Sequence, residues 1–385
     1  MKKLLIITDM YPNKYNPVSE VFVKHQVDEL AKRYEVRVIA TIFSHKYSIE
    51  QNNVTDVKMT FVYYPLIRNF YLTSLLFYRL YAIPEIKRVI LSWKPDLIHV
   101  HDCRHVPELI LLHSCLNSFS IPRYLTVHNI RTHPSMIKSS RFKWLYRMCF
   151  NKSYSGWKHI FTVNDRLKDF ILKQVRAAKI TNVGNAIGPL PQIDSGLLDK
   201  YKTLLDGQSF KIIAVGNLKA EKGFDLLINS VHNLIVKNRK IQVIIIGSGV
   251  EEFNLARQIN KLDLQGSIIL TGGIDNDIVR NLYPLFDAFV LASYSETFGI
   301  VYLEAMFAGI PVIGVIGQGI DGIIQPGING WLVKPRDTED LTEKIESIMN
   351  NRDTAQALAI NGQNLVKESY QLSSLIDRIT KIYEQ

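Results

Sequence analysis

The chain has 385 residues, which is enough for two domains of ordinary size. Its composition is that of a globular protein, and no run of about 18 apolar residues predicts a membrane-spanning helix. The net charge of +10 is unevenly placed, because residues 1–187 carry 28 Lys and Arg against 13 Asp and Glu, whereas the remainder carries 18 against 23.

Apolar strands and helical stretches alternate from the start of the chain, a pattern typical of parallel sheets with crossover helices. The N-terminal run resembles a signal peptide, but it is short and Asp9 interrupts it, so we expect a first strand instead. A helix is predicted over residues 22–33. The strands expected in the first half are residues 4–9, 36–41, 97–101, 124–128 and 159–163.

Gly, Pro and Asn cluster at residues 180–196, and this composition predicts a linker. The pattern then restarts, with strands expected at residues 210–216, 242–247, 267–272, 288–293 and 311–316 and a last amphipathic helix over 373–385. The predicted fold class is α/β, with two Rossmann-like doubly wound domains facing across a cleft. The first is predicted over residues 1–187 and the second over 188–372, with the active site in the cleft at the carboxyl ends of the strands.

The basic first half predicts an anionic partner: a membrane surface, an anionic acceptor or nucleic acid. No recognition motif accompanies the charge, so we expect no nucleic acid. Residues 69–88 and 141–159 interleave aromatic with basic side chains, as interfacial helices do. The alternative is helices that pack their aromatic side chains inward and leave a solvated basic face. Cysteines 103, 115 and 149 are expected to be free thiols in a reducing cytoplasm.

The segment SYSETFGIVYLE, residues 293–304, places Glu296 and Glu304 eight positions apart across a predicted strand, glycine turn and helix. Such a turn directs backbone N–H groups and a helix N-terminus towards one point, which is favourable for phosphate. Carboxylates beside such a point are poor phosphate ligands but good acceptors for sugar hydroxyls. The arrangement therefore favours a nucleotide-sugar over a bare nucleotide.

Two further turns follow strands of the second half. The first lies within residues 215–230, which follow a strand and open a helix, and it contains Lys222, which is placed to neutralise a diphosphate. The second, IGSG, contains Gly247 and is weaker evidence for a nucleotide site. Asp275 and Asp277 form an Asp-Asn-Asp sequence with the letters of a metal motif, but we expect one of them to cap the next helix. A zinc-like spacing of histidines at 101 and 105 lacks a third ligand, so no metal site is predicted.

The sequence ETFGIVYLEAMFAGIPVIG resembles the signature of the retaining glycosyltransferases of family 4, which have the two-domain GT-B architecture. The resemblance implies that Glu296 contacts the donor sugar and that Glu304 binds the ribose hydroxyls. The main-chain amides that it implies for the sugar and phosphates are those of Thr297, Phe298, Gly299 and Ile300. The resemblance spans nearly the whole chain and is strongest over residues 210–335. It also implies that the helix over residues 373–385 crosses back onto the N-terminal domain.

The family pattern of two phosphate-binding cations is matched at Lys222–Gly223, but Asn217 stands where the family has Arg. Asn carries no charge, so half of the expected electrostatic stabilisation is missing, and Lys219 is a candidate substitute. The next glycine-rich turn also departs from the pattern. It has Gln318–Gly319 in place of Gly-Gly and lacks the usual Glu at 322, with Asp321 beside it.

In the first half, the resemblance implies that His128 reaches the donor sugar near the reacting carbon and that His101 faces the acceptor. Ser19 and Glu20 fall on the loop that the family places against the diphosphate and acceptor. The implied catalytic residues are His128, Glu296 and Lys222. The implied donor-binding set adds Asn217, Gly247, Glu304 and the four residues that follow Glu296.

The implied activity is transfer of a sugar, with retention of configuration, from a nucleotide diphosphate sugar to a saccharide or lipid-linked saccharide. No metal or other cofactor is expected. The implied setting is bacterial surface polysaccharide synthesis, such as capsule or O-antigen, in the cytoplasm and peripherally on the inner face of the membrane. Two alternatives stay open: a nucleotide-sugar epimerase of the same architecture, and a non-catalytic nucleotide-sugar-binding partner subunit, which Asn217 favours.

Overall fold

The computed structural model describes residues 1–16, 21–54, 57–65, 75–101, 106–129, 143–175 and 179–385. Several residues singled out in the sequence lie outside these ranges: Ser19, Glu20, Cys103 and His105. The chain divides into two compact units, the first comprising residues 1–184 and 375–385 and the second residues 185–374. We refer to them as unit 1 and unit 2.

Unit 1 contains an eight-stranded sheet in the order β3-β4-β2-β1-β5-β6-β7-β8. All neighbours are parallel except the edge strand β3, which is antiparallel to β4. Strands β1, β2 and β4 follow one another towards one edge of the sheet, and strands β5 to β8 follow one another towards the other edge. The strand order therefore reverses direction between β1 and β5, as in a doubly wound sheet. The eight strands are Lys3–Thr8, Glu35–Ser44, Ser48–Val54, Val57–Pro65, Leu97–His101, Arg123–Val127, His159–Thr162 and Ile180–Asn182.

The helices of unit 1 surround this sheet, and the last of them comes from the end of the chain. That helix buries Leu375, Ile376, Ile379 and Tyr383, and the Tyr383 hydroxyl lies 2.5 Å from Nδ1 of His99 on β5. In chain order the helices are α1 Val21–Ala31, α2 Ile83–Trp93 after a π-helical turn Tyr78–Ala82, α3 Val106–Leu116, α4 Lys143–Tyr154, α5 Asp165–Gln174 and the terminal helix Leu372–Tyr383.

Unit 2 contains a parallel six-stranded sheet in the order β11-β10-β9-β12-β13-β14. Counted within the unit, this is the 3-2-1-4-5-6 order of a Rossmann fold, which reverses direction between β9 and β12. The strands are Phe210–Val215, Ile241–Ile246, Ile268–Leu270, Ala288–Val290, Val312–Val315 and Trp331–Val333.

Unit 2 has seven helices, of which the first precedes its sheet and the other six cross between or follow its strands; the terminal helix completes the numbering. They are α6 Ser195–Lys202, α7 Phe224–Val236, α8 Glu252–Lys261, α9 Asn276–Leu282, α10 Ile300–Phe307, α11 Thr338–Asn350 and α12 Arg352–Ser369, and the terminal helix Leu372–Tyr383 is α13. Short 3-10 turns cover Ala220–Lys222 and Tyr283–Leu285.

The ten predicted strands are all present, and the N-terminal run is the central strand β1. The prediction that the linker starts at residue 180 is wrong, because Ile180–Asn182 forms the edge strand β8 of unit 1. The predicted domain boundary at 187 lies close to the end of the first unit's main segment, Gly184. Among the helices in the described ranges, none combines the length and apolar character needed to cross a bilayer.

Candidate functional site

The reversal of strand order between β9 and β12 places two functional side chains of unit 2 together. Lys222 ends the 3-10 turn after β9, and Glu296 lies in the loop after β12. Nζ of Lys222 is 2.5 Å from Oε2 of Glu296, and the two side chains are only 19% and 14% exposed. Crossovers on opposite faces of the sheet diverge at such a point and leave an opening between the loops. The structure thus joins two predicted catalytic residues in one ion pair.

The loop after β13 supports Glu296. The backbone N–H of Glu296 donates to Oε1 of Gln318 (3.1 Å), and its carbonyl accepts from the N–H of Gly319 (2.9 Å). A Cβ at Gly319 would lie 2.2 Å from the Thr297 carbonyl group, so only glycine permits this approach. The Asp321 carboxylate accepts from the N–H of Gly317 (2.6 Å) and so closes its own turn. The side-chain role of Gln318 was not predicted.

Glu304 lies in the second turn of α10, which begins after Gly299, where φ is +82°. Its carboxylate accepts from Tyr283 Oη (3.3 Å) and Asn276 Nδ2 (3.4 Å), and it lies 3.9 Å from Nε of Arg280. Burial raises the pKa of Glu304 to about 7, although the Arg280 charge and these two hydrogen bonds oppose the rise. The carboxylate is therefore held in a built, mostly buried polar site.

The three partners of Glu304 come from α9 and the turn after it, and none of them is predicted from the sequence. Asn276, Arg280 and Tyr283 are spaced i, i+4 and i+7, which is the one signal that could have placed them on a common helix face. Asp275 caps α9 by accepting from the N–H of Asp277 (2.9 Å), so the predicted cap is confirmed. Across the described ranges, no group of three or more His, Cys, Asp or Glu is placed to hold a metal ion.

Gly247, predicted to bind the donor, brings the loop after β10 against the loop after β9. Its φ is +151°, and a Cβ at this position would lie 1.9 Å from the Gly216 carbonyl oxygen. Its N–H donates to the carbonyl of Gly272 (2.9 Å), so the amide holds the loop together. Asn217 is exposed, and its backbone carbonyl accepts from the backbone N–H of Lys219 (2.8 Å). The uncharged Asn and its candidate substitute therefore share one turn.

The amides that follow Glu296 were predicted to meet the sugar and phosphates. The N–H of Thr297 donates to Oε1 of Glu296 (3.2 Å), while Ile300 begins α10. The Phe298 side chain is buried. This loop thus supplies a carboxylate and the first turn of a helix, and Lys222 on the loop after β9 adds an ammonium group beside them. Such groups bind a sugar hydroxyl and a phosphate.

In unit 1, His101 and His128 lie at the carboxyl ends of the neighbouring strands β5 and β6. Nδ1 of His101 is 3.0 Å from Nε2 of His128, and both rings are buried. Burial lowers the pKa of His101 to about 3 and the pKa of His128 well below its ordinary value. Both rings are therefore neutral near pH 7, and one donates a hydrogen bond to the other. The contact between them was not predicted from the sequence.

Two family models match the chain in succession: Glycosyltransferase Family 4 over residues 19–189 and Glycosyl transferases group 1 over residues 198–365. Similar proteins include α-D-kanosaminyltransferase of Streptomyces kanamyceticus (27% identical; 45% of this chain and 45% of that one). Sulfoquinovosyl transferase SQD2 of Arabidopsis thaliana is 33% identical over 71% of this chain and 54% of its own. The capsular polysaccharide biosynthesis glycosyltransferase CapM of Staphylococcus aureus is 26% identical over 50% of each.

The chain thus spans about half the length of each of these three relatives. Solved structures share the whole fold. Sucrose-phosphate synthase of Thermosynechococcus elongatus superposes with a TM-score of 0.81 at 16% identity, covering 100% of this chain and 99% of that one. HepE of Anabaena, solved with UDP-glucose, gives 0.72 at 16% identity over 100% of both. The chain therefore belongs to the family 4 type of group 1 glycosyltransferases, with the GT-B architecture.

Proposed function

We propose that this glycosyltransferase moves a sugar from a nucleotide diphosphate sugar to an acceptor hydroxyl and retains the anomeric configuration. The observation that carries the proposal is the Lys222–Glu296 pair at the strand reversal of unit 2, followed along the same loop and helix by the buried Glu304. HepE, which has the same fold, was solved with UDP and with UDP-glucose, and this supports a nucleotide-sugar as the donor.

Each group has a role in the proposed reaction. Lys222 and the amides of Thr297 to Ile300 stabilise the charge that develops on the departing diphosphate. Glu296 orients the sugar, Glu304 accepts from the ribose hydroxyls, and the neutral His128 supports the sugar's 6-hydroxyl. The bond from the anomeric carbon to the diphosphate oxygen breaks, and the acceptor oxygen bonds on the same face. The acceptor proton passes to the departing phosphate, and no metal is required.

A binding screen tests the donor site. Purified protein is heated with a panel of nucleotide-sugars and nucleotides, with and without chelator, because a ligand that binds the folded state raises its apparent stability. We expect a selective shift with one nucleotide family, insensitive to chelator and reduced in Glu304→Ala. Glu343→Ala, at an exposed position of α11, is the matched control and should keep the shift. No shift with any member of the panel would contradict the proposal.

The proposed acceptor is a saccharide or lipid-linked saccharide of a bacterial surface polysaccharide, in agreement with the capsular relative CapM. Unit 1 offers a surface suited to an anionic bilayer. Leu76 and Leu80 are 52% and 53% exposed, one helical turn apart, and the exposed Arg79 lies between them in sequence. Beside them the Tyr81 ring stacks on Tyr47 at a centroid distance of 4.0 Å. Exposed leucine, tyrosine and arginine together are typical of peripheral membrane contacts.

Vesicle sedimentation tests this peripheral association. We expect the wild-type protein to sediment with vesicles that contain phosphatidylglycerol and to bind pure phosphatidylcholine weakly. The double variant Leu76→Ser/Leu80→Ser should lose most of this binding. Leu172→Ser/Leu197→Ser removes two leucines of similar exposure elsewhere, 46% and 49%, and should bind like the wild type. Equal binding by both double variants would contradict this surface.

A non-catalytic binding subunit is the second candidate, because the exposed Asn217 has no charge to offer a diphosphate. Such a subunit would bind a nucleotide-sugar at Glu304 but would not break its bond to the sugar. Turnover of a bound donor by the purified chain separates the two functions. Donor consumption that requires Lys222 supports the transferase, whereas a donor that stays intact with every acceptor supports the subunit.

A further inference from the structure

The two chain connections between the units meet at one place on unit 2. The first connection leaves unit 1 after Gly184, and the second returns to it after Ser374. The N–H of Ile187 donates to the carbonyl of Tyr370 (3.0 Å), and the N–H of Leu372 donates to the carbonyl of Ile187 (3.1 Å). These two bonds tie the outgoing and the returning connection to each other.

Arg280 on α9 holds the outgoing connection from a buried position. Its two terminal nitrogens donate to the carbonyls of Pro189 (2.7 Å) and Gly188 (2.6 Å), and its side chain is 3% exposed. The neighbouring Asn281 donates through Nδ2 to the carbonyl of Pro191 (3.1 Å). Because the guanidinium is a rigid planar fork, its position is fixed by the two carbonyls that it binds.

The remaining nitrogen of the same guanidinium faces Glu304, with Nε 3.9 Å from Oε1. Asn276 and Tyr283 donate to this carboxylate, and Asp277 is the nearby acidic group that opposes its charge. Arg280 is thus the cation that both Glu304 and the connection share. The rigid guanidinium can interact with the Glu304 carboxylate and with the two backbone carbonyls at once only when these groups stand at matching positions. A shift of the carboxylate therefore affects the carbonyls, and a shift of the carbonyls affects the carboxylate.

We propose that Arg280 is a positioning residue that couples a ribose diol bound at Glu304 to the backbone of the connection at residues 188–191. The proposal rests on the proposed function in one respect, that Glu304 binds the ribose of the donor. When hydroxyls donate to Glu304, its attraction for Arg280 changes, and the fork transmits this change to the carbonyls of Gly188 and Pro189. Arg280 itself touches no reacting atom.

Hydrogen exchange of the full chain tests the coupling, with UDP, GDP and ADP each at a concentration that calorimetry shows to be saturating. We expect the nucleotide that binds to change amide exchange at residues 187–192 and 370–372 by about threefold or more in the wild type. In Arg280→Met this change should be lost although the nucleotide binds. Arg257→Lys, at an exposed position of α8, should behave like the wild type.

Two further variants separate coupling from simple anchoring. Asn281→Ala loosens the connection without touching Glu304, so its exchange without ligand should rise while the nucleotide-dependent change persists. Arg280→Lys keeps the charge but not the fork. Arg280→Met should raise the pH midpoint of nucleoside binding, because the Arg280 charge lowers the pKa of Glu304. Arg280→Lys should restore this midpoint, but it should not restore the nucleotide-dependent change in amide exchange. Uridine, guanosine and adenosine serve as probes for that midpoint because they carry no phosphate that titrates.

The outcomes distinguish the two levels of the proposal. If a nucleotide binds and exchange at residues 187–192 is unchanged in the wild type, the coupling is wrong and the donor site stands. A response in Arg280→Met equal to that of the wild type also overturns the coupling. If none of the three nucleotides binds, no ribose diol is held at Glu304 and the coupling is wrong, whereas the thermal screen with nucleotide-sugars decides the proposed function separately.

Discussion

At the residue scale, the central feature is one ion pair between two partly buried side chains. Lys222 and Glu296 come from loops after different strands, and they meet because β9 and β12 are neighbours in the sheet. A buried cation beside a departing diphosphate contributes more than the same charge in water, because the local dielectric is low. With Asn217 uncharged, Lys222 is the partly buried cation of this turn, whereas Lys219 is exposed.

Lys222→Ala should therefore lower the rate of donor cleavage by roughly 100-fold or more, the range for removal of one stabilising group. The measurement is kcat with a saturating donor. Lys219→Ala, in the same turn but exposed, is the control, and we expect it to lose less than about tenfold. Equal losses in the two variants would contradict the role given to Lys222 and would instead indicate a diffuse charge effect.

Glu304 makes the stability of unit 2 depend on pH. Its pKa is about 7 in the folded chain, above the ordinary value of 4.5, so the folded state binds the proton more tightly than the unfolded state. The free energy of unfolding should fall by about 3 kcal/mol in total as the pH rises from about 4.5 to 7, and it should then level off. Glu304→Gln should remove this fall, and its apparent Tm relative to wild type should rise between pH 5 and pH 8.

The matched control for this pH experiment is Glu343→Gln, an exposed carboxylate that should leave the pH dependence of Tm as it is in the wild type. A constant Tm difference between Glu304→Gln and wild type across this pH range would contradict a raised pKa at Glu304. Such a constant difference would report only the loss of the Tyr283 and Asn276 hydrogen bonds.

Some residues of the site are predictable from the sequence and others are not, for a physical reason. Glu296 and Lys222 follow apolar strands in glycine-containing turns, and this local pattern carries the signal. Arg280 and Gln318 act through contacts with residues 24 and 22 positions away, on other elements. Such contacts depend on which strands are neighbours, and strand order is a property of the folded sheet rather than of the local sequence.

At the element scale, the loops after β9 and β10 contact each other through backbone atoms. Gly247→Ala would place a Cβ 1.9 Å from the Gly216 carbonyl oxygen at a φ of +151°. Overpacking and backbone strain together should cost about 3 kcal/mol, which lowers the apparent Tm by roughly 6 °C or more. Donor binding should weaken as well, since both loops border the proposed donor site.

Gly207→Ala is the control for this loop contact, because a Cβ at Gly207 would meet nothing within 4 Å. We expect its Tm to stay within about 2 °C of the wild type. Melting followed by fluorescence or calorimetry provides both values. Similar Tm values for the two alanine variants would mean that the loops do not approach as closely as described.

The sequence predicted elements well where a strand is a continuous apolar run, and less well at the edges of the sheets. The central strands are buried on both faces, so nearly every residue of β10 is apolar. The edge strand β3, SIEQNNV, is mostly polar, and β8 and β14 have three residues each. Edge strands need no apolar run because one side of them faces solvent, so their sequences resemble those of loops.

At the scale of the whole molecule, each unit carries a different part of the proposed reaction. Unit 2 holds the ion pair and the carboxylate that suit a nucleotide-sugar, whereas unit 1 holds the buried histidine pair and the basic surface. The terminal helix α13 returns to unit 1, and the connection that leads to it is hydrogen-bonded to Ile187, next to the segment that Arg280 holds. The sequence predicted the two units and the charge difference, but it gave no sign of Arg280 as the shared contact.

The central claim is that this chain transfers a sugar with retention, and an NMR time course of the donor tests it most directly. The donor found by the binding screen is incubated with protein, and the anomeric proton of the newly formed sugar product is read before mutarotation. We expect a product with the donor's own anomeric configuration, formed together with nucleoside diphosphate and lost in Lys222→Ala. An inverted anomer, a sugar altered at another ring carbon, or a bound donor that stays intact would contradict the account.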